Sequence, residues 1–380
     1  MKYSTDRILT THAGALPQPP DLKEMHNAQI AGKPVDKDAF AKRVRGAVAD
    51  IVKKQITCGL DVINDGEVGK SNFSRYARER LSGFSEREVK PEDLPSTIYA
   101  RDLTEFSDYF HSRTYHRGDN LRRVFCNAPL KYVGHESLKA EIEDFKASLQ
   151  GQTYEEAFLP AIAPGTIEHW MKNDYYPNDE AYLVAITDAM HEEYKAIVDA
   201  GFLLQIDDPD LPDGWQFMSK MSIPEYRKYA ALRVDALNHG LRDIPPDRVR
   251  FHTCWGSYHG PHKYDIPLRD IIDLILKVKA NTISIEAANP RHEHEWRVWE
   301  RVKLPEGKTL VPGVVSHATN VVEHPDLIAD RIERFANLVG TANVIAGTDC
   351  GLGGRVHPQI AWAKLEALVQ GAGLAGRRFA

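Results

Sequence analysis

Apolar and polar positions along the chain fall into two alternating rhythms. Runs with apolar residues at three- and four-residue spacing cover Asp38–Thr57, Ser137–Leu149, Asp179–Ala200, Ile223–Leu241, Leu268–Ala280 and Pro325–Leu338. That spacing gives a helix one apolar face. Short runs rich in β-branched residues lie at Asp61–Ile63, Phe202–Ile206, Val249–Thr253, Thr282–Ile285, Leu310–Val315 and Asn343–Ala346. The alternation of short strand and amphipathic helix predicts βα units around a parallel sheet.

Most strand-like runs end in residues capable of chemistry. Glu67 follows the first, Asp207 and Asp208 the next, then His252 with Cys254, Glu286, His317, and Asp349 with Cys350. A (β/α)8 TIM barrel gathers its active site at the C-terminal ends of its strands, and six such ends converge most readily on a closed ring. A doubly wound sheet produces similar strings and is the alternative architecture. Residues 85 to about 160 break the rhythm. Within them Thr104–Asn120 is aromatic and His-rich without a period, which reads as an inserted cap or arm on a single catalytic domain spanning 1–380. Tyr109, Phe110, His111, Tyr115 and His116 either line the pocket or cover the barrel.

Composition narrows the classes of function. The 380 residues carry 48 Lys and Arg against 54 Asp and Glu, a net charge of -6, with no basic block to follow a nucleic-acid backbone or an anionic membrane. No run of apolar residues is long enough to span a bilayer, and the polar N-terminus lacks a secretory signal, so the expectation is a cytoplasmic enzyme with small-molecule partners. The pattern leaves room for a homo-oligomer. Four cysteines in 380 residues are too few for a disulfide framework, which directs attention to metal binding or burial.

Two of those cysteines stand in suggestive places. His252-Thr253-Cys254 ends a strand-like run, and the strand period of two puts both side chains on one face, about 6.6 Å apart along the chain. Cys350 lies in Gly347-Thr348-Asp349-Cys350-Gly351-Leu352-Gly353, a loop whose glycines permit close backbone approach. Together with Glu286 these residues offer the nitrogen, sulfur and oxygen donors that zinc takes. Cys58, at a helix end before Gly59, and Cys126, in an apolar stretch, read as buried small residues.

The sequence resembles the C-terminal catalytic half of cobalamin-independent methionine synthase, whose superfamily also includes the epoxyalkane:coenzyme M transferases. The resemblance rests on Thr10-Thr11-His12-Ala13-Gly14-Ala15-Leu16-Pro17, Gly66-Glu67, Gly165-Thr166-Ile167 with Trp170, and Gln205-Ile206-Asp207-Asp208-Pro209. It continues through His252-Thr253-Cys254, Ile285-Glu286, Pro312-Gly313-Val314 leading to His317, and Asp349-Cys350-Gly351. It implies a zinc ion (Zn2+) held by His252, Cys254, Glu286 and Cys350, with Glu286 the ligand that an incoming thiol displaces. It further implies His317 as the acid that protonates the leaving group. Glu67 and Asp207 would hold the substrate amino group, the Ala13-Gly14-Ala15 loop its carboxylate, and Trp170 the face of a folate donor.

Three departures bear on the substrate. Ala15 stands where the synthases carry serine, removing one hydrogen bond to the homocysteine carboxylate. The chain has no counterpart to the N-terminal half of the full-length synthase, which leaves the methyl donor open. Glu168 and His169 put polarity beside Trp170. The resemblance therefore implies methyl transfer from methyltetrahydrofolate or another donor to homocysteine or a related thiol, with epoxide ring opening by a thiol such as coenzyme M as the alternative. A non-catalytic thiol binder has no use for His317, and a metal-free lyase of the uroporphyrinogen decarboxylase type has none for the Cys254 and Cys350 pair.

Overall fold

The computed structural model describes residues 1–89, 99–112 and 122–379. In chain order the first elements are β1 (Leu9–Thr10), α1 (Pro20–Ile30), α2 (Lys37–Cys58), β2 (Val62–Ile63), α3 (Phe73–Arg80), β3 (Phe84–Glu88), α4 (Ala100–Glu105) and α5 (Ser107–Ser112). Next come β4 (Arg122–Cys126), α6 (His135–Leu149), β5 (Glu156–Ile162), α7 (Pro164–Trp170), β6 (Met171–Asn173), α8 (Asp179–Asp199), β7 (Leu203–Asp207) and α9 (Asp210–Phe217). The chain ends with α10 (Ile223–Gly240), β8 (Val249–Thr253), α11 (Ile272–Ile275), β9 (Thr282–Ile285), β10 (Thr309–Val315), α12 (Pro325–Val339), β11 (Ile345–Thr348) and α13 (Pro358–Phe379).

Eight parallel strands run in the order β1-β11-β10-β9-β8-β7-β5-β2. The seam between β1 and β2 is bridged by the Asp61 amide donating to the Thr10 carbonyl at 3.2 Å. Thr11 Oγ1 adds a bond to the Val62 carbonyl at 3.0 Å. The sheet is thus the nearly closed barrel expected of a TIM fold, and helices surround it. β5, β7, β8, β9, β10 and β11 are almost wholly buried because the barrel interior packs one face and the helices the other. No described helix is long and apolar enough to cross a membrane.

The insertion is narrower than the sequence rhythm suggests. β5 belongs to the barrel, and α6 packs against α2 as an ordinary barrel helix. What is added lies mainly between β2 and α6: the strands β3 and β4 and the helices α4 and α5, with β3 antiparallel to β4 and β4 joined in parallel by β6 from beyond α7. The helix predicted over Leu268–Ala280 is also broken. A 3₁₀ turn occupies Leu268–Asp270, Ile271 leaves helical geometry at φ -131°, and α11 holds only four residues.

α4 and α5 dock on the loop that follows β8. Arg101 stacks on Trp215 and donates to the carbonyls of Trp215, Met218 and Met221. Asp102 accepts from Tyr258 Oη and the Tyr264 amide, and Tyr109 Oη donates to the His259 carbonyl. Tyr109 therefore covers the loop that follows β8. Tyr115, His116 and the His111 side chain lie outside the described residues.

Candidate metal centre and substrate pocket

The strand period does what the sequence implies for His252 and Cys254. The donor atoms of His252, Cys254 and Cys350 all lie within 4.8 Å of one another. The two sulfurs are 3.8 Å apart. A tetrahedral zinc with zinc–sulfur bonds of about 2.3 Å separates two thiolate ligands by about 3.8 Å, so the pair is spaced for one ion. His252 Nδ1 is engaged with Ser284 Oγ at 3.1 Å, while its buried Nε2 has no hydrogen-bond partner. An imidazole anchored through one nitrogen with the other left free is the arrangement of a metal ligand.

Glu286 stands slightly apart from that trio. Its carboxylate is 3% exposed, and Oε2 accepts from Asn289 Nδ2 at 3.0 Å while Oε1 has no partner. Asn289 Nδ2 also reaches Asp349 Oδ2 at 3.3 Å. Asp349 accepts from the amides of Ala287 and Ala288 at 2.7 and 2.8 Å, tying the Cys350 loop to the Glu286 strand end. Gly313 makes that approach feasible, because a Cβ there would meet Asp349 Oδ1 at 2.1 Å. The hydrogen bond shared with Cys254 holds the Cys350 thiol well below its ordinary range, with help from His252. The same bond, seen from the other side, combines with burial to push Cys254 up. The donor set, the sulfur spacing and the two unpartnered buried atoms all fit a zinc ion.

His317, 4% exposed, lies just past β10 with Nδ1 unpartnered. Burial lowers its pKa, and the charges of Cys350 and Asp349 work against that shift. His317 thus feels the charge of the Cys350 loop.

Opposite these groups is an acidic wall. Gln205 Nε2 donates to the Ala13 carbonyl at 2.6 Å and to Asp207 Oδ1 at 2.8 Å, fixing Asp207 beside the Ala13-Gly14 backbone. Glu67 Oε1 lies only 2.4 Å from where a Gly14 Cβ would stand. Glu67 itself adopts φ +56°, a left-handed conformation unusual for a side-chain-bearing residue. Burial raises its pKa to about 7, and burial followed by the Glu67 charge pushes Asp207 well above the carboxylate range. Two neighbouring carboxylates that resist ionising together are stabilised by a cation between them. Behind Glu67, Lys70 donates to the Pro160 carbonyl at 2.6 Å and pairs with Glu141 at 3.3 Å. Ala15 packs against the Cys350 loop, where a Cβ on Gly351 would meet its methyl at 2.9 Å.

Trp170 is 39% exposed and donates from Nε1 to Asp210 Oδ2 at 3.2 Å, with Phe217 edge-on to its ring at 5.8 Å. Sequence reasoning placed His169 beside it but missed the acids. Asp210 Oδ1, Asp213 Oδ1 and His169 Nε2 are buried without hydrogen-bond partners, His169 Nε2 lies 3.8 Å from Asp210 Oδ1, and burial raises Asp210 to about 8. Asp210 and Asp213 are one turn apart on α9, so an (i, i+3) acidic pair just after Asp207-Asp208-Pro209 was the available signal.

Comparison with known proteins agrees with this geometry. The profile of the family described as "Cobalamin-independent synthase, Catalytic domain" matches residues 8–99 and 149–374. Methionine synthase of Thermococcus kodakarensis is 24% identical over 374 residues, covering 98% of this chain and 94% of that protein. Methionine synthase of Pyrococcus furiosus is 24% identical over 362 residues, covering 95% and 90%. An N-terminal half is therefore not a feature by which this chain differs from these relatives. Among solved structures, a B12-independent methionine synthase from a Shewanella species in complex with selenomethionine superposes with a TM-score of 0.73 at 20% identity, covering 98% of this chain and 99% of that one. A putative B12-independent methionine synthase from Listeria monocytogenes gives 0.67 at 17% identity, covering 97% and 98%. With a profile match across most of its length and the same barrel, the chain belongs to the cobalamin-independent synthase catalytic-domain family.

Proposed function

We propose that this protein is a zinc-dependent methyltransferase that methylates the thiol of homocysteine or a closely related amino thiol. The observation that carries the reading is the juxtaposition of the His252, Cys254 and Cys350 donor trio with the half-buried Glu67 and buried Asp207 carboxylates. When bound, zinc supplies a Lewis acid that keeps a sulfur ligand deprotonated at neutral pH. Glu286, held by Asn289, would serve as the fourth ligand and the exchangeable one.

The chain's own residues do the rest. Glu67 and Asp207 hold the ammonium group, with Gln205 fixing Asp207 in place. The Ala13-Gly14-Ala15 backbone faces the carboxylate end. The substrate sulfur forms a bond to the methyl carbon as the bond from that carbon to the donor nitrogen breaks, and His317 delivers the proton that the nitrogen needs. The exposed Trp170 face, set beside the carboxyl groups of Asp210 and Asp213, suits a flat heterocycle such as a reduced pterin. Methyltetrahydrofolate is the donor that this chemistry favours.

The acidic wall separates this reading from epoxide opening by coenzyme M, whose sulfonate would face two carboxylates. The deciding experiment incubates zinc-loaded protein with homocysteine and methyltetrahydrofolate, and in parallel with coenzyme M and an epoxide. Methionine in the first reaction is the expected product. Thioether in the second alone would replace this reading with the alternative, and none in either would end both.

A further inference from the structure

We infer that Lys364 and Glu323 form a buried strut that positions His317, and that their effect on turnover passes through that imidazole. The inference rests on His317 as the acid proposed above. His317 Nδ1 has no hydrogen-bond partner, so its own ring bonds do not fix its place. Its backbone must supply the precision, and that backbone is the loop joining β10 to α12.

The loop is gripped at both ends by one ion pair. Glu323 Oε1 accepts from the amide of Ser316, the residue before His317, at 2.8 Å. The other oxygen of Glu323 accepts from Lys364 Nζ on α13 at 2.8 Å, and the same ammonium donates to the Val321 carbonyl at 2.6 Å. On the far side of His317, the Ala318 amide donates to Ser316 Oγ at 3.1 Å. The lysine side chain is 0% exposed and the glutamate 7%. Burying such a pair against a helix is costly compared with an aliphatic contact unless its hydrogen bonds are filled. Here they are filled by loop backbone on either side of His317, while Val321 turns its own side chain out at 70% exposure. The strut therefore anchors the loop's main chain rather than its apolar side chains.

The test compares two electrophiles on zinc-loaded protein with homocysteine as acceptor. Methyltetrahydrofolate releases a nitrogen that must be protonated, whereas methyl iodide releases iodide, which needs no proton. For K364M the expected result is a fall in kcat of about tenfold or more with methyltetrahydrofolate, an unchanged KM for homocysteine, and an unchanged rate with methyl iodide. Placed on H317A, the same substitution should add no further loss. E323Q carries the identical comparison should K364M not fold. Equal losses with both electrophiles, or an additional loss on H317A, would overturn the strut. Full turnover of methyltetrahydrofolate by H317A alone would overturn the acid assignment beneath it, and a wild-type protein inert toward that donor would remove both before any variant is made.

Discussion

Gly14→Ala isolates the contact between backbone and acidic wall. A Cβ at this position would stand 2.4 Å from Glu67 Oε1, where ordinary contact begins near 3.4 Å, so the carboxylate must retreat by roughly 1 Å. A displacement of that size in a substrate-holding group costs about 10²-fold in kcat/KM, which corresponds to about 2.7 kcal/mol. Gly14 also sits at φ +134°, a region nearly closed to side-chain-bearing residues, adding about 1–3 kcal/mol of strain to the folded state. Gly32→Ala supplies the control, since Gly32 has φ +67° but nothing within 4 Å of its would-be Cβ. Steady-state kinetics with homocysteine, zinc content and thermal unfolding would be measured on both. G14A should keep its zinc, melt a few degrees lower and lose most of its affinity for homocysteine, while G32A should show only the lowered melting. A wild-type KM in G14A would refute the claim that Glu67 grips the substrate from this position.

Cys350→Ser and Cys254→Ser should each abolish zinc retention by metal analysis, because a serine hydroxyl is a poor ligand at neutral pH, whereas Cys126→Ser should keep the metal. Glu67 has a folded pKa raised from 4.5 to about 7, so the apo protein's stability from this group is present below about pH 4.5 and is lost as pH climbs toward 7. An ionised Glu67 is what an ammonium group needs, so KM for homocysteine should fall as pH rises to about 7 and then level, a trend that Glu67→Gln should flatten. Arg80, 7% exposed and paired with Glu141 and Glu193, leaves buried carboxylates unpaired when removed. Arg80→Met should cost about 3–5 kcal/mol in chemical denaturation, and a loss under 1 kcal/mol would show that water enters the network.

The parts of the fold written in local periodicity were legible, and the parts that depend on distant partners were not. α8, α10 and α12 lie within two residues of their predicted bounds because each carries its own apolar face. Leu268–Ala280 has the same spacing, yet 3₁₀ turns and α-helix share three- and four-residue neighbours, so the period does not reveal the break at Ile271. β5 was hidden because its apolar run continues through Ala163 into the helix start at Pro164, with no loop to mark where the strand ends. At the metal site, the strand alternation of His252 and Cys254 is a local signal, and Cys350 announces itself through its glycines. Asn289 holding Glu286 and Gln205 holding Asp207 are each near in sequence to the group they fix, but nothing in the pattern marks either as a holder.

Lys70 shows where local reading fails most completely, and why it matters for substrate choice. Its partner Glu141 lies on α6, in the stretch between the two blocks of chain that the family profile matches. Arg80 bonds the same carboxylate and also Glu193 on α8, so two cations and two carboxylates form one buried network behind Glu67. Burial favours the protonated form of Glu67, and Lys70 is the strongest charge opposing it. A segment outside the family match thus reaches the Glu67 and Asp207 wall through one intermediary. His252, Cys254, Glu286 and Cys350 all lie within the matched blocks, whereas the charge behind Glu67 is set in part by Glu141 on α6. Under the function proposed above, divergence in that stretch would retune which thiol enters without disturbing the donors that would hold the metal.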